Sequence, residues 1–244
     1  MHTYDTAAQW IRSAKRITAF TGAGISVESG IPTFRGPDGL WSRYDPRVLD
    51  IGYFHQEPEE CWRVIREIFY DYMGEHARPN AAHRFLAHLE GTGQLQGIIT
   101  QNIDNLHQEA GSRRVVEYHG TAQTLVCTAC GKRSPFTQHD LNDLPPYCPD
   151  CGGLLKPDFV FFGEPIPSDA AHQSMEWIET ADLLLIIGTT GEIMPASQLP
   201  YQATHARVIE INIAPSRYTE TLTDLFVQAK ATVAADELSR RLKL

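Results

Sequence analysis

The chain has 244 residues, of which 42% are apolar and 21% charged, and its formal net charge is −9. A chain of this length and balance buries a real core, which excludes a disordered protein and allows one large domain with an insert or two. The acidic surplus, with no long basic run, argues against a nucleic-acid groove and mildly favours cationic partners such as lysine-rich peptides, although plain solubility explains it equally well.

Taken in chain order, short apolar runs at 16–21, 97–100, 115–118, 183–187 and 208–211 have the pattern of strands buried on both faces. Helical patterns at 5–14, 81–90, 168–180 and 194–202 lie between them. Strands separated by helices predict a parallel sheet covered on both sides, an α/β fold whose ligands sit beyond the carboxyl ends of the strands. Two segments break the alternation. Residues 36–78 open with a Gly/Pro-rich loop and turn helical and aromatic, while residues 121–156 hold four cysteines among polar turns. Both are predicted to be inserts forming a smaller domain beside a sheet built from 1–35, 79–120 and 157–244, with a ligand cleft between the two.

Cys127, Cys130, Cys148 and Cys151 form two C-x2-C pairs, each followed by glycine, at Gly131 and at Gly152 and Gly153. Two such knuckles bring four thiolates to one tetrahedral zinc ion and leave no position for water, so the metal is expected to be structural and the chemistry to lie elsewhere. The fifth cysteine, Cys61, falls in a helical stretch at 58–72 and is expected to be a small buried apolar residue.

The strand ends carry the unusual polar residues. Gly22, Ala23, Gly24, Ile25 and Ser26 make a glycine-rich turn whose N–H groups suit a pyrophosphate. It is neither a P-loop nor the full dinucleotide fingerprint, and alone it is equally a tight turn. The loop beyond, with Thr33, Phe34, Arg35 and Trp41 among glycines and prolines, has the composition of a segment that closes over a ligand. Thr100, Gln101, Asn102, Asp104, Asn105 and His107 crowd the next strand end, and helix capping accounts for only one of them. His119, at a further strand end and with a reference pKa near the working pH, is a candidate general base. Gly188, Thr189, Thr190, Gly191 and Asn212 end two more strands and suit ribose or phosphate contacts, or simple turns.

Together with the paired cysteines, the runs Gly22–Ser26, Gly30–Arg35, Thr100–Asp104, His119–Gly120, Phe161–Glu164 and Gly188–Thr189 resemble the sirtuins, NAD-dependent protein lysine deacylases, in family order and over nearly the whole chain. The resemblance implies a Rossmann-like large domain, a small domain of helical and zinc-ribbon inserts, NAD as co-substrate and one structural zinc. It implies that Gly22, Ala23, Gly24, Thr33, Phe34 and Arg35 hold the pyrophosphate and nicotinamide ribose, and that Gln101 touches ribose hydroxyls. Asn102, Ile103 and Asp104 would line the nicotinamide pocket, with Asp104 on the carboxamide. Gly188, Thr189, Thr190, Asn212 and Ala231 would hold the adenosine half. Val160, Phe162, Gly163 and Glu164, facing Glu192 and Ile193, would contact an acyl-lysine peptide. His119 would deprotonate a ribose hydroxyl, and the products would be lysine, nicotinamide and O-acyl-ADP-ribose.

Two departures bear on substrate. Thr190 stands where serine is usual in the family, keeping the hydroxyl. Gly191, Glu192, Ile193 and Met194 replace an apolar run that pairs with the substrate peptide, so Gly191 is expected to open space and Glu192 to favour basic residues near the target lysine. Tyr70 is followed three residues later by Met73 rather than by the arginine of succinyl-removing members, which implies acetyl or longer apolar acyl groups. The alternatives are a mono-ADP-ribosyltransferase on the same fold and a non-catalytic NAD- or peptide-binding regulator. No signal peptide or bilayer-spanning stretch is read from the sequence, and with reduced thiols this predicts a cytoplasmic protein without nucleic-acid or membrane partners.

Overall fold

The computed structural model describes residues 2–34, 39–73 and 77–244, apart from the side chain of Tyr72. Helix α1 (His2–Ser13) leads into β1 (Ile17–Thr21). The chain then leaves the sheet for α2 (Ile51–Gln56) and α3 (Pro58–Ile65), the latter continuing as a π-helical stretch over Arg66–Tyr72. It returns through α4 (Ala81–Gly91), β2 (Leu95–Thr100), the short α5 (Leu106–Glu109) and β3 (Val115–Glu117). A ribbon of β4 (Gly120–Cys127), β5 (Arg133–Pro135) and β6 (Leu155–Phe159) follows. The chain closes with α6 (Ser168–Thr180), β7 (Leu183–Ile187), β8 (Arg207–Asn212), β9 (Leu225–Gln228) and α7 (Ala231–Leu242).

Six parallel strands lie in the order β3-β2-β1-β7-β8-β9. Alternate side chains of each strand enter opposite cores. Ala19 and Leu185 pack with α1, α4 and α7, whereas Phe20, Leu184 and Ile186 pack with Trp177 and Ile178 of α6. This two-sided burial is why the strands read as unbroken apolar runs. Gly97 is obligatory in β2, because a Cβ there would meet the Trp177 ring at 2.2 Å. From β1 the chain winds outward through β2 and β3, then restarts on the other side with β7. The switch point between β1 and β7 is where such sheets bind ligands.

A third core belongs to neither face of this sheet. Phe54, Trp62, Ile65 and Phe69 of the helical segment pack with Leu125, Leu155 and Phe159 of the ribbon and with Phe161 just beyond it. Trp62 Nε1 donates to Leu155 O at 2.8 Å, and Tyr70 Oη to Ala122 O at 3.0 Å. Cys61 is fully buried here, and burial pushes its thiol up to about 11, so it is inert.

Some elements differ from the sequence expectation. The helix expected at 194–202 is instead two 3₁₀ turns, Ala196–Gln198 and Pro200–Gln202, because Pro200 lacks the N–H that a continuous helix would need. The strand β9 and the helix α7 carry no sequence expectation at all. Among the described residues no helix is long and apolar enough to cross a membrane.

Candidate functional site

A cavity of about 620 Å³ opens where β1, β2, β3, β7 and β8 end, and it is walled on its far side by the third core. Its floor is main chain. Gly22 N–H donates to Ile187 O at 3.0 Å and Gly24 N–H to Gly188 O at 2.8 Å. A Cβ on Gly24 would lie 2.7 Å from Gly188 Cα, and one on Gly188, whose φ is +65°, would lie 2.4 Å from Ile25 N. These glycines let the ends of β1 and β7 touch. Of the N–H groups in the turn, those of Gly22 and Gly24 are therefore engaged with carbonyls across the switch point. Ala23 opens the 3₁₀ helix Ala23–Ser29 and also lines the cavity.

Side chains from the other strand ends complete the floor. Gln101 Nε2 donates to Thr189 Oγ1 at 3.2 Å, and Asn212 Nδ2 to Thr189 O at 3.0 Å. Thr190 is exposed at the rim, and Ala231 meets the cavity as the first residue of α7. Thr33, Phe34 and Ile103 also line it, whereas Arg35 lies outside the described residues.

Behind the floor is a buried polar cluster. Asn102 Nδ2 donates to Gly22 O and to Ser26 Oγ, both at 3.2 Å. Ser26 Oγ donates to Asp104 Oδ2 at 2.7 Å, and Leu106 N–H reaches Asp104 Oδ1 at 3.1 Å. Asp104 thus stands behind Ser26, and burial raises its pKa above the usual carboxylate range against these hydrogen bonds. His83 Nε2 lies 3.4 Å from Ser26 Oγ, and its ring meets that of His107 edge-on at 4.9 Å. Burial, then the Arg84 charge, lowers His83 to about 4, and burial holds His107 well below 6.5. Ser26 and His83 were not read from the sequence as site residues. The glycine-rich run ending at Ser26 was the one available signal, and His83 sits unmarked in a helix.

His119 lies between this polar floor and an aromatic wall. Its Nδ1 is 3.0 Å from Gln101 O. A carbonyl only accepts, so Nδ1 carries the hydrogen and Nε2 keeps a lone pair. Burial lowers its pKa, with the Gln101 contact opposing, and the ring is neutral near pH 7. The His119 carbonyl accepts Val160 N–H at 2.8 Å, tying the histidine to the wall. That wall comprises Phe34, Trp41, Phe69, Phe159, Val160, Phe161 and Phe162. Phe34 lies 5.5 Å from Trp41 and Phe69 5.1 Å from Phe159, centroid to centroid. Phe162 is 46% exposed and is fixed by its main chain, its N–H on Leu49 O at 2.8 Å and its carbonyl on Ile51 N–H at 3.1 Å. Gly163, at φ +91°, turns the chain so that Glu164 folds back, its Oε2 accepting Phe161 N–H at 2.8 Å.

Opposite, Ile193, Met194 and Pro195 line the cavity, while Glu192 is exposed and lies off its wall. Gly191 opens no space, contrary to expectation. A Cβ on it would sit 2.8 Å from the ring of the buried Tyr218, which already fills the volume.

The four paired cysteines meet away from this cavity, with their sulfurs all within 4.8 Å of one another. Cys127 Sγ is 3.5 Å from Cys151 Sγ, and Cys130 Sγ 3.9 Å from Cys148 Sγ. Bonds of ~2.3 Å to a tetrahedral zinc set sulfurs ~3.8 Å apart, so the donor set fits that ion. The Cys130 N–H holds the Cys127 thiol down at about 6, favouring the thiolate a metal takes.

A doubly wound parallel sheet, a glycine-floored cleft at its switch point and an inserted four-cysteine ribbon define a Rossmann-like protein with a zinc-ribbon domain. The Sir2 family matches the chain over residues 22–195. An NAD-dependent protein deacylase of Aeropyrum pernix is 43% identical over 97% of this chain and 96% of its own length. A Sir2 homologue mutant solved with ADP-ribose superposes with a TM-score of 0.91 at 37% identity, covering 98% of this chain and 96% of that one. A Sir2 structure with p53 peptide and NAD⁺ superposes at 0.88 with 32% identity, covering 96% of each. The chain belongs to the Sir2 family.

Proposed function

We propose that this chain is an NAD-dependent protein lysine deacylase, acting first on acetyl-lysine and releasing nicotinamide and O-acyl-ADP-ribose. The observation that carries the reading is His119, which lines the cleft between its polar, glycine-rich floor and its aromatic wall and whose Nδ1 is engaged by Gln101 O, leaving Nε2 to accept. Relatives and structural neighbours bearing NAD-dependent deacylase names, ADP-ribose or a p53 peptide support it.

NAD, when bound, supplies an electrophilic ribose carbon with nicotinamide as its leaving group. Gly22, Ala23, Gly24, Thr33, Phe34 and Arg35 are assigned its pyrophosphate and nicotinamide ribose, and Gln101 the ribose hydroxyls. Asn102, Ile103 and Asp104 are assigned nicotinamide, with Asp104 on its carboxamide; Asp104 also accepts from Ser26 Oγ, which itself accepts from Asn102 Nδ2. Gly188, Thr189, Thr190, Asn212 and Ala231 take the adenosine half. Val160, Phe162, Gly163, Glu164, Glu192 and Ile193 border the path of the acyl-lysine peptide. An amide oxygen is a poor nucleophile, so the aromatic wall must hold it in line and keep water out. His119 Nε2 then takes the proton of a ribose hydroxyl.

The acyl group follows from the wall. Tyr70 hydrogen-bonds Ala122 O, its ring 5.0 Å from that of Phe136, and Met73 is buried in the same core. Neither faces the cavity and no cation stands at that spacing, so acetyl or longer apolar chains are preferred over succinyl. The cysteine ribbon is assigned a structural zinc, and thiolates of this kind suit a reducing compartment, which supports a cytoplasmic location.

Mass spectrometry of an acetyl-lysine peptide incubated with enzyme and NAD tests the reading. Deacetylation matched by O-acetyl-ADP-ribose is expected, with a rate about 10²–10⁴-fold lower in His119→Ala. NAD consumption with ribosylated protein and no deacetylation would replace the deacylase by a mono-ADP-ribosyltransferase. No turnover with NAD bound would leave a regulator.

A further inference from the structure

Lys156 is a lysine only 6% exposed, on the last ribbon strand β6. Its Nζ donates to Pro157 O at 2.9 Å and Phe159 O at 2.7 Å, and lies 4.3 Å from the centre of the Phe161 ring. It also pairs with Glu164 Oε2 at 3.0 Å. That same oxygen accepts Phe161 N–H at 2.8 Å. One ammonium and one carboxylate thus lace together both ends of the segment from β6 to Glu164. Between them stand Val160, held by the His119 carbonyl, and Phe162, held by Leu49 and Ile51.

A buried ion pair seldom earns its place through stability, since well-packed apolar residues of like volume do as well or better. What a saturated pair does provide is one fixed geometry. Nζ has three hydrogens, and Pro157 O, Phe159 O and Glu164 take all three. The chain curls away after Phe159, and there the pair takes up Phe159 O and Phe161 N–H.

We infer that Lys156 and Glu164 are positioning residues for the acyl-lysine peptide, setting the curl that presents Val160 and Phe162, and that Glu164 acts through Lys156 rather than by touching the peptide. The inference rests on the deacylase reading for the identity of the ligand. It separates peptide recognition from NAD recognition, because among the described residues the floor of the cleft shares no hydrogen bond with the pair.

The test uses the full-length, zinc-loaded protein and a fluorescein-labelled acetyl-lysine peptide, with binding read by anisotropy in the absence of NAD. Lys156→Met and Glu164→Gln are each expected to raise the peptide Kd about 10-fold, and the double variant no further than the worse single one, as residues acting as one unit do. In steady state the peptide KM should rise in step, with kcat changed less than about threefold and the KM for NAD unchanged. Lys156→Arg, which keeps the charge, should recover most of the affinity. Peptide Kd within about twofold of wild type in Glu164→Gln overturns the inference, as does a parallel fall of kcat and NAD affinity, the mark of general damage. Should Lys156→Met fail to fold, Glu164→Gln, at a half-buried position, decides alone. The binding assay needs no turnover, so a wild-type protein that binds the peptide but does not deacetylate it defeats the functional reading and leaves this one standing.

Discussion

The two sides of the cleft are built on different physics. The floor is main chain, with Gly22, Gly24 and Gly188 packed so closely that no Cβ fits, and its polar side chains hydrogen-bond to its carbonyls and to one another. The wall is side chain, with aromatic rings from the helical insert and the ribbon meeting in a core of their own, and the Lys156–Glu164 ion pair shaping its edge. A floor of that kind suits one invariant ligand and tolerates almost no substitution. A wall of that kind can be retuned ring by ring without touching the floor. One fold can thus keep a single co-substrate while its acyl and peptide preferences diverge.

Zinc removal should break this comparison most sharply. The ribbon supplies Leu125, Leu155 and Phe159 to the wall's core, and structural zinc binding in small domains is worth on the order of 10 kcal/mol. Chelation should abolish deacylation and expose β4 to β6 and the 51–72 helical segment to hydrogen exchange, while β1, β7 and β8 keep their protection. Uniform loss of protection would mean that the two sides are one cooperative unit.

Gly188→Ala attacks the floor alone. Its φ of +65° and a Cβ 2.4 Å from Ile25 N combine left-handed strain with overpacking, together about 2–5 kcal/mol. NAD affinity by calorimetry should fall steeply while the acetyl-lysine peptide binds as before. Equal loss of both ligands would show that the wall leans on the floor.

A smaller effect is pH-dependent. His83, held at about 4 in the fold against 6.5 for a free side chain, is neutral where the unfolded chain takes up a proton. Its contribution is complete above about pH 6.5 and is lost as pH falls toward about 4, by about 3 kcal/mol in all. His107, also lowered by burial, acts in the same direction. Asp104, raised by burial, acts oppositely, its share being lost as pH rises through its folded value. Urea unfolding at about pH 7 and about pH 4.5 should show the loss in wild type and a shallower one in His83→Asn. Identical slopes would remove His83 from the account.

Much of the floor was legible because it is local. Each glycine-rich or polar strand end lies in one short run, and a parallel sheet brings such ends to one edge without further information. Both buried faces of β7 are written in its run of leucines and isoleucines. Helix α7 carried no expectation although its buried residues Ala231, Ala234, Ala235 and Leu238 recur at helical spacing, because three of the four are alanines, which do not stand out as core residues in a sequence. His83 at Ser26, Lys156 at Glu164 and Tyr218 at Gly191 are tertiary meetings, and no local pattern announces them. The Gly191 expectation failed for that reason: a missing side chain reads as a hole only until something from elsewhere in the chain fills it.

That correction sharpens the smallest prediction. With Tyr218 occupying the space beside Gly191, the peptide side of the cleft is not widened, and selectivity there falls to Glu192 and to the exposed Met194. Glu192 is exposed, so its attraction for a basic peptide residue is screened and is worth about 1 kcal/mol or less. Glu192→Leu should therefore lower kcat/KM for peptides with lysine or arginine near the target by about threefold to fivefold at low salt, and leave neutral peptides within error. The gap should close as ionic strength rises, because only a Coulombic preference is screened. An unchanged ranking of basic and neutral peptides would show that Glu192 plays no part in choosing substrate, leaving selectivity to the aromatic wall and the Lys156–Glu164 pair that shapes its edge.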